Sequence, residues 1–209
     1  MICRRRAKPP SAWASEACPR RDPDYFATLV ANAVLGGGYS ARLNDEIRIK
    51  RGLSYGAGSS LPARMAPAPI IASAQTRNDA AVQVVQLIET EISRIGDELV
   101  PESELTARKA VLIGSFGRSV ETNAGLAGQI STLALFGLPL ERLGAYVSDV
   151  TAVTPEQARA AADRYFDPAR ADLVVVGDAD TFYADLRRLK PNAERINIDD
   201  LNLDTEALH

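Results

Sequence analysis

The sequence predicts an α+β domain, with a mixed or antiparallel sheet and helices packed on one face. Helical repeats fill most of the middle of the chain, from about residue 79 to residue 165. Strand-like runs are few and segregated, two lying close together at 53–61 and 70–76 and one coming late at 172–176. The composition, 46% hydrophobic and 24% charged over 209 residues, is globular and sufficient for a buried core. No linker interrupts residues 22–190, so the chain divides into an irregular N-terminal segment 1–21, one α+β domain 22–190 and an acidic tail 191–209.

Residues 1–21 hold Pro9-Pro10, Pro19 and scattered arginines without period 2 or period 3.6, and are expected to be irregular. Asp22 or Asp24 then caps a helix with Pro23 near its first turn, and Tyr25, Leu29, Val30, Ala33 and Val34 recur on one face up to Gly36-Gly37-Gly38. Ser40 is the expected N-cap of the next helix, with Leu43 and Ile47 inward and Arg42, Asp45, Glu46 and Lys50 outward, and Gly52 ends it. A strand begins at or near Tyr55, weak in propensity because of Gly56 and Gly58, and a second runs over Ile70–Thr76.

Asn78 or Asp79 caps a long helix through about Ile95, and Pro101-Glu102-Ser103-Glu104 opens another through Phe116. A third starts near Glu121 and must break at Gly137-Leu138-Pro139, and a short one covers about 140–147. Thr154-Pro155-Glu156-Gln157 is a capping box with proline at the first helical position, starting a helix to Tyr165. Asp172–Asp178 reads as a buried central strand, followed by a helix over 181–189. The tail alternates from Ile196 to Asp204 and is expected to be an edge strand or an extended surface segment.

Charge and composition exclude several functions. A net charge of −3 leaves no basic footprint for nucleic acid. No run of about 18 apolar residues is present for a membrane span, and no signal peptide is visible. The expected protein is soluble, cytoplasmic or periplasmic. Cys3 and Cys18 both fall in the irregular start, so a disulfide framework is not what holds this fold.

A catalytic zinc site needs three clustered ligands, usually with at least one imidazole. The single histidine is His209, the last residue, so H-x-x-E-H, H-E-x-x-H and Ser-His-Asp arrangements have no histidine within the fold. The expected metal and cofactor content of this chain is therefore none. Gly36-Gly37-Gly38 invites a phosphate-loop reading, but it follows a helix and lacks a Gly-Lys-Ser/Thr ending, so a tight corner is the better reading.

Arg48 and Tyr55 remain as the informative pair. Arg48 lies in the last turn of its helix, where a cation suits the helix dipole, and Tyr55 follows across the Gly52 turn, so that one surface can carry both. Spacing alone favours the plainer reading, a dipole-capping arginine and a strand tyrosine in the core. The stretch G-G-G-Y-S-A-R-L-N-D-E-I-R-I-K-R-G-L-S-Y, from Gly36 to Tyr55, resembles the R/Y region of the pitrilysin or insulinase-type metallopeptidases, the inverted zincins that include mitochondrial processing peptidase. The resemblance runs on through V-T-P-E-Q-A-R-A-A-A-D-R-Y-F and L-V-V-V-G-D-A to I-D-D-L-N-L-D, and covers about residues 22–203.

The resemblance implies the metal-free half of a zinc peptidase. Arg48 and Tyr55 would contact carbonyls of a peptide substrate, in trans to zinc held by a homologous H-x-x-E-H half or subunit. This chain would be inactive alone, with endopeptidase activity only beside that catalytic partner. The alternative is an inactive structural scaffold of the same family, and a homodimer is a further option. The resemblance also implies an apolar strand ahead of the helix at Tyr25. Residues 1–21 carry no such pattern, which points to a truncated, misassigned or altered start and predicts an exposed sheet edge.

Overall fold

A computed structural model describes the backbone of residues 10–65, 68–202 and 204–205, and side chains from Cys18 onward except at residue 68. Helices cover one face of a four-stranded antiparallel sheet in the order β2-β3-β1-β4, as the α+β reading requires. The strands are β1 (Pro10–Ala17), β2 (Ser54–Ser60), β3 (Ala68–Thr76) and β4 (Asp172–Val175).

The irregular reading of 1–21 is corrected at its second half. Residues 10–17 form an interior strand of the sheet, pairing with β3 from Pro10↔Gln75 to Ala17↔Ala68 and with β4 from Ser11↔Val175 to Ala14↔Asp172. Neither Pro-Ser-Ala-Trp-Ala-Ser-Glu-Ala nor its flanks has strong strand propensity. Pairing on both sides makes the strand, because strand preference is mostly set by the neighbours a segment finds. The sheet therefore does not lack its opening strand. Residues 1–9 and His209 lie outside the described residues.

One further expectation changes, and of the two alternatives for the tail the edge strand is excluded among the described residues. The late apolar run forms an edge strand rather than a central one, with Val174 55% exposed and Val175 buried. Its apolar character reflects packing of Val175 with Ala81, Val85, Phe182 and Leu186 in a small second core. Among the described residues of 191–205 there is no strand, only a 3₁₀ turn at Ile198–Asp200. The segment is tied instead to the last helix, where the Tyr183 hydroxyl donates to the Ala193 carbonyl at 3.0 Å and Arg195 pairs with Asp180 at 2.6 Å.

The helices are α1 (Tyr25–Leu35), α2 (Arg42–Asn44) continuing as a π-helical turn (Asp45–Ile49), α3 (Ala81–Asp97), α4 (Glu102–Val120), α5 (Asn123–Leu135), α6 (Glu141–Ala152), α7 (Pro155–Tyr165) and α8 (Ala179–Leu189). Ile70, Ala72, Ala74 and Thr76 alternate inward along β3, against a core that includes Val30 and Val34 of α1, Val84, Ile88 and Ile92 of α3, and Ala158 and Ala162 of α7. The predicted capping box is present, with the Thr154 hydroxyl accepting from Gln157 N–H at 3.2 Å and the Gln157 side chain accepting from Thr154 N–H at 2.9 Å. No helix among the described residues is long and apolar enough to cross a membrane.

Candidate functional site

The stretch from Gly36 to Tyr55 folds as a corner, a helix and an edge strand. Gly36 ends α1 against β2, its carbonyl accepting the Ser59 N–H at 3.0 Å. A side chain at Gly36 would run into the Ser59 backbone, so glycine lets the two elements approach this closely. Ser40 is not the N-cap. Ala41 holds that position without a side-chain bond, and the Ser40 hydroxyl accepts from Arg108 at 3.0 Å instead.

Arg42, expected outside, is 8% exposed and makes a bidentate pair with Glu104 of α4 at 2.9 and 2.8 Å. Burial disfavours its charge, and the bonds from Glu104 more than reverse that, so its pKa rises above the ordinary arginine value. This pair fixes the helix that carries Arg48 to the helical layer. Leu43 and Ile47 are fully buried, as their spacing predicts. Lys50 N–H reaching the Asp45 carbonyl at 2.8 Å closes the π turn, and Gly52, at φ 62°, ends it.

Arg48 and Tyr55 line one open pocket of about 330 Å3, together with Gly52, Leu53, Ser54, Gln75, Thr76 and Arg77. The Arg48 guanidinium stands 5.0 Å from the centroid of Tyr39, which is itself 65% exposed, and the ring serves as a shelf for the cation. Tyr55 is 78% exposed and sits in a β-bulge, where Tyr55 and Gly56 together oppose Gln75 between the pairs Ser54↔Thr76 and Ala57↔Ala74. The Ser54 hydroxyl closes the bulge, donating to the Gly56 carbonyl at 2.6 Å and accepting its N–H at 3.0 Å. At the strand start, the Thr76 hydroxyl donates to the Leu53 carbonyl at 2.6 Å.

Three residues of this site escaped the sequence reading. Tyr39 stood inside the glycine block but carried no pattern of its own. Asn44, only 3% exposed, donates through Nδ2 to the Tyr39 carbonyl and accepts the Ala57 N–H at 3.2 Å through Oδ1. It therefore ties the Arg48 shelf to the strand just past the bulge. A buried asparagine inside a helical repeat is a poor helix former, and that mismatch was its one available signal. Arg77 enters the pocket from the end of β3 and pairs with Asp79 at 3.0 Å, a position no periodicity marks.

The charges around the pocket are uneven. Glu46 is taken up by Lys50 and Arg51, and the Lys50 bond first, then that from Arg51, holds its carboxyl below the usual range. Among the described residues no three His, Cys, Asp or Glu side chains gather into a group that would hold a metal ion. The residues of this site do not fit zinc. What they offer chemically is a guanidinium and a phenol, both hydrogen-bond donors, facing an open sheet edge.

Comparison with known proteins agrees with this architecture. The family description "Peptidase M16 inactive domain" matches residues 6–112, just over half of the chain. An uncharacterized zinc protease of Streptomyces coelicolor is 27% identical over 158 residues, covering 76% of this chain and 34% of that protein. The crystal structure of a peptidase M16 inactive domain from Pseudomonas fluorescens superposes with a TM-score of 0.76 at 29% identity, covering 84% of this chain and 42% of that one. A protease from Helicobacter pylori shares the fold at a TM-score of 0.74 and 16% identity, over 85% and 43% of the two chains. The chain thus spans well under half the length of these relatives. A matched core family profile and a common fold lead to one conclusion: this chain belongs to the peptidase M16 inactive-domain family.

Proposed function

We propose that this domain is the substrate-binding, non-catalytic half of a zinc-dependent peptidase. Arg48 and Tyr55 would donate to backbone carbonyls of a peptide lying beside a partner half that carries H-x-x-E-H and holds the zinc. The observation behind this reading is that the two residues, from different elements, share one open pocket at the β2 edge. An exposed strand edge suits an extended peptide, whose main chain can be met by donors along it. Guanidinium and phenol are both hydrogen-bond donors, and charge that develops on a carbonyl oxygen is what such donors stabilise best.

The test mixes this protein with an H-x-x-E-H homologue from the same genome and follows cleavage of an unfolded peptide with zinc present. The expected outcome is no turnover by this chain alone, turnover with the partner, and a kcat lower by about 10²-fold to 10³-fold for Tyr55→Phe, the scale of one lost oxyanion donor. Unchanged kcat for Tyr55→Phe, or no gain from adding the wild-type protein, would defeat the proposal and leave the scaffold reading.

A further inference from the structure

We infer that the Arg48/Tyr55 pocket selects peptides carrying an acidic side chain, and that Arg77 sets this selectivity. The inference rests on the peptide-binding reading above and extends it to the class of substrate.

Among the described residues, the charged ones that line the pocket are Arg48 and Arg77, and no carboxylate lines it. The remaining lining is uncharged, with Ser54, Tyr55, Gln75 and Thr76 offering polar groups. On a protein whose net charge is −3, a cleft with two guanidiniums runs against the average field. A cleft lined by one sign of charge concentrates ligands of the other sign.

The neighbouring acids do not cancel it. Glu46 and Asp45 are engaged by Lys50 and Arg51, so the end of the π turn is close to neutral as a group. Arg48 rests on the Tyr39 ring and makes no ion pair among the described residues. Arg77 uses Nε for Asp79, and both side chains of that pair are 64% exposed, so solvent screens it and a ligand carboxylate can compete. A planar guanidinium is the cation that best matches a carboxylate in two-point geometry.

The pocket's volume, about 330 Å3, lies at the small end of ligand sites and suits one or two side chains of a longer peptide. The division of roles follows from position. Arg48, on the aromatic shelf beside Tyr55, is placed for the main chain. Arg77, just past the end of β3 across the pocket, is placed for the side chain.

The experiment measures binding to this protein by fluorescence anisotropy, and so needs no catalytic partner. Three labelled unfolded peptides with blocked ends differ at one central residue, Glu, Gln or Lys; a fourth carries Gln and a free C-terminal carboxylate. The expected order is Glu, then Gln, then Lys, with about tenfold between the first two, the scale of one charge-assisted bond. Raising salt from about 50 mM to about 500 mM should compress that ratio, since the groups are solvent-accessible. Arg77→Gln should bring the Glu/Gln ratio to about one, and Arg77→Glu should place Lys first.

Equal binding of Glu and Gln peptides by the wild type, an unchanged ratio in Arg77→Gln, or no binding of any peptide would overturn the inference. Tighter binding of the free-carboxylate peptide than of its blocked Gln counterpart, matching the Glu gain, would also overturn it, because the pocket would then read chain ends. Arg77 is exposed, so circular dichroism of its variants should match the wild type. A Glu preference with no turnover beside the partner would sink the peptidase reading alone, whereas turnover without the preference would sink only the selectivity.

Discussion

At the scale of residues, the site depends on buried polar groups that hold exposed ones. Asn44 satisfies the Tyr39 carbonyl and the Ala57 N–H at once, from a position 3% exposed. Asn44→Ala leaves both unpaired, which should cost about 1–3 kcal/mol of stability and loosen Tyr39 and Tyr55 together. Urea unfolding measures the first effect. A loss confined to stability, with kcat beside the partner unchanged, would show that Asn44 does not position the pair.

Glu91 gives a prediction in pH. It is 3% exposed on α3, with one oxygen taking Arg94 at 2.8 Å and the other without a hydrogen bond among the described residues. Burial pushes its carboxyl up from the ordinary 4.5, while Arg94 and then Arg42 pull it back in part. Above 4.5 the folded chain therefore keeps a proton there that the unfolded chain has released. The stability from this group is complete below that value and is lost as pH rises through the raised one. Glu91→Gln cannot titrate, so its urea midpoint should fall less than that of the wild type between pH 4 and pH 7. Parallel pH dependences would refute this.

At the scale of elements, contact between α1 and β2 sets where the edge strand lies. Gly36→Ala forces a side chain into the Ser59 backbone, whereas a Cβ at Gly38 meets nothing within 4 Å. Gly36→Ala should therefore destabilise by about 1–3 kcal/mol, as overpacking does. Gly38→Ala should stay within about 0.5 kcal/mol of wild type. Thermal melts of the two variants decide it, and equal melting temperatures would refute the close-approach argument. The Gly-Gly-Gly run was legible as a break, but the contact that Gly36 makes with β2 was not. That depends on a strand more than twenty positions away in sequence.

At the scale of the whole molecule, the chain resembles one part of longer proteins, spanning 42% of the Pseudomonas fluorescens chain and 34% of the Streptomyces coelicolor protein. Along α5 only Leu133 is buried, and Leu126, Ile130 and Leu135 are exposed although the helix is apolar almost all round. The sequence gives no hint of that exposure, because periodicity reports which residues share a face and is silent on what meets it.

Family resemblance nominated Arg48 and Tyr55, while the sequence's own patterns determined the class of the fold, the helices with their capping box and the glycine-bounded helix from Gly36 to Gly52. These are local matters, settled by propensity, caps and short-range spacing. Tertiary structure alone decided that Pro10–Ala17 is an interior strand, that Asp172–Val175 is an edge, that Arg42 is buried on Glu104, and that Tyr39, Asn44 and Arg77 gather around Arg48 and Tyr55. The strand order, the burial of Arg42 and the approach of Arg77 depend on partners distant in sequence. A weak strand gains order by pairing on both sides, and Arg42 becomes internal because its counterion Glu104 arrives from another helix.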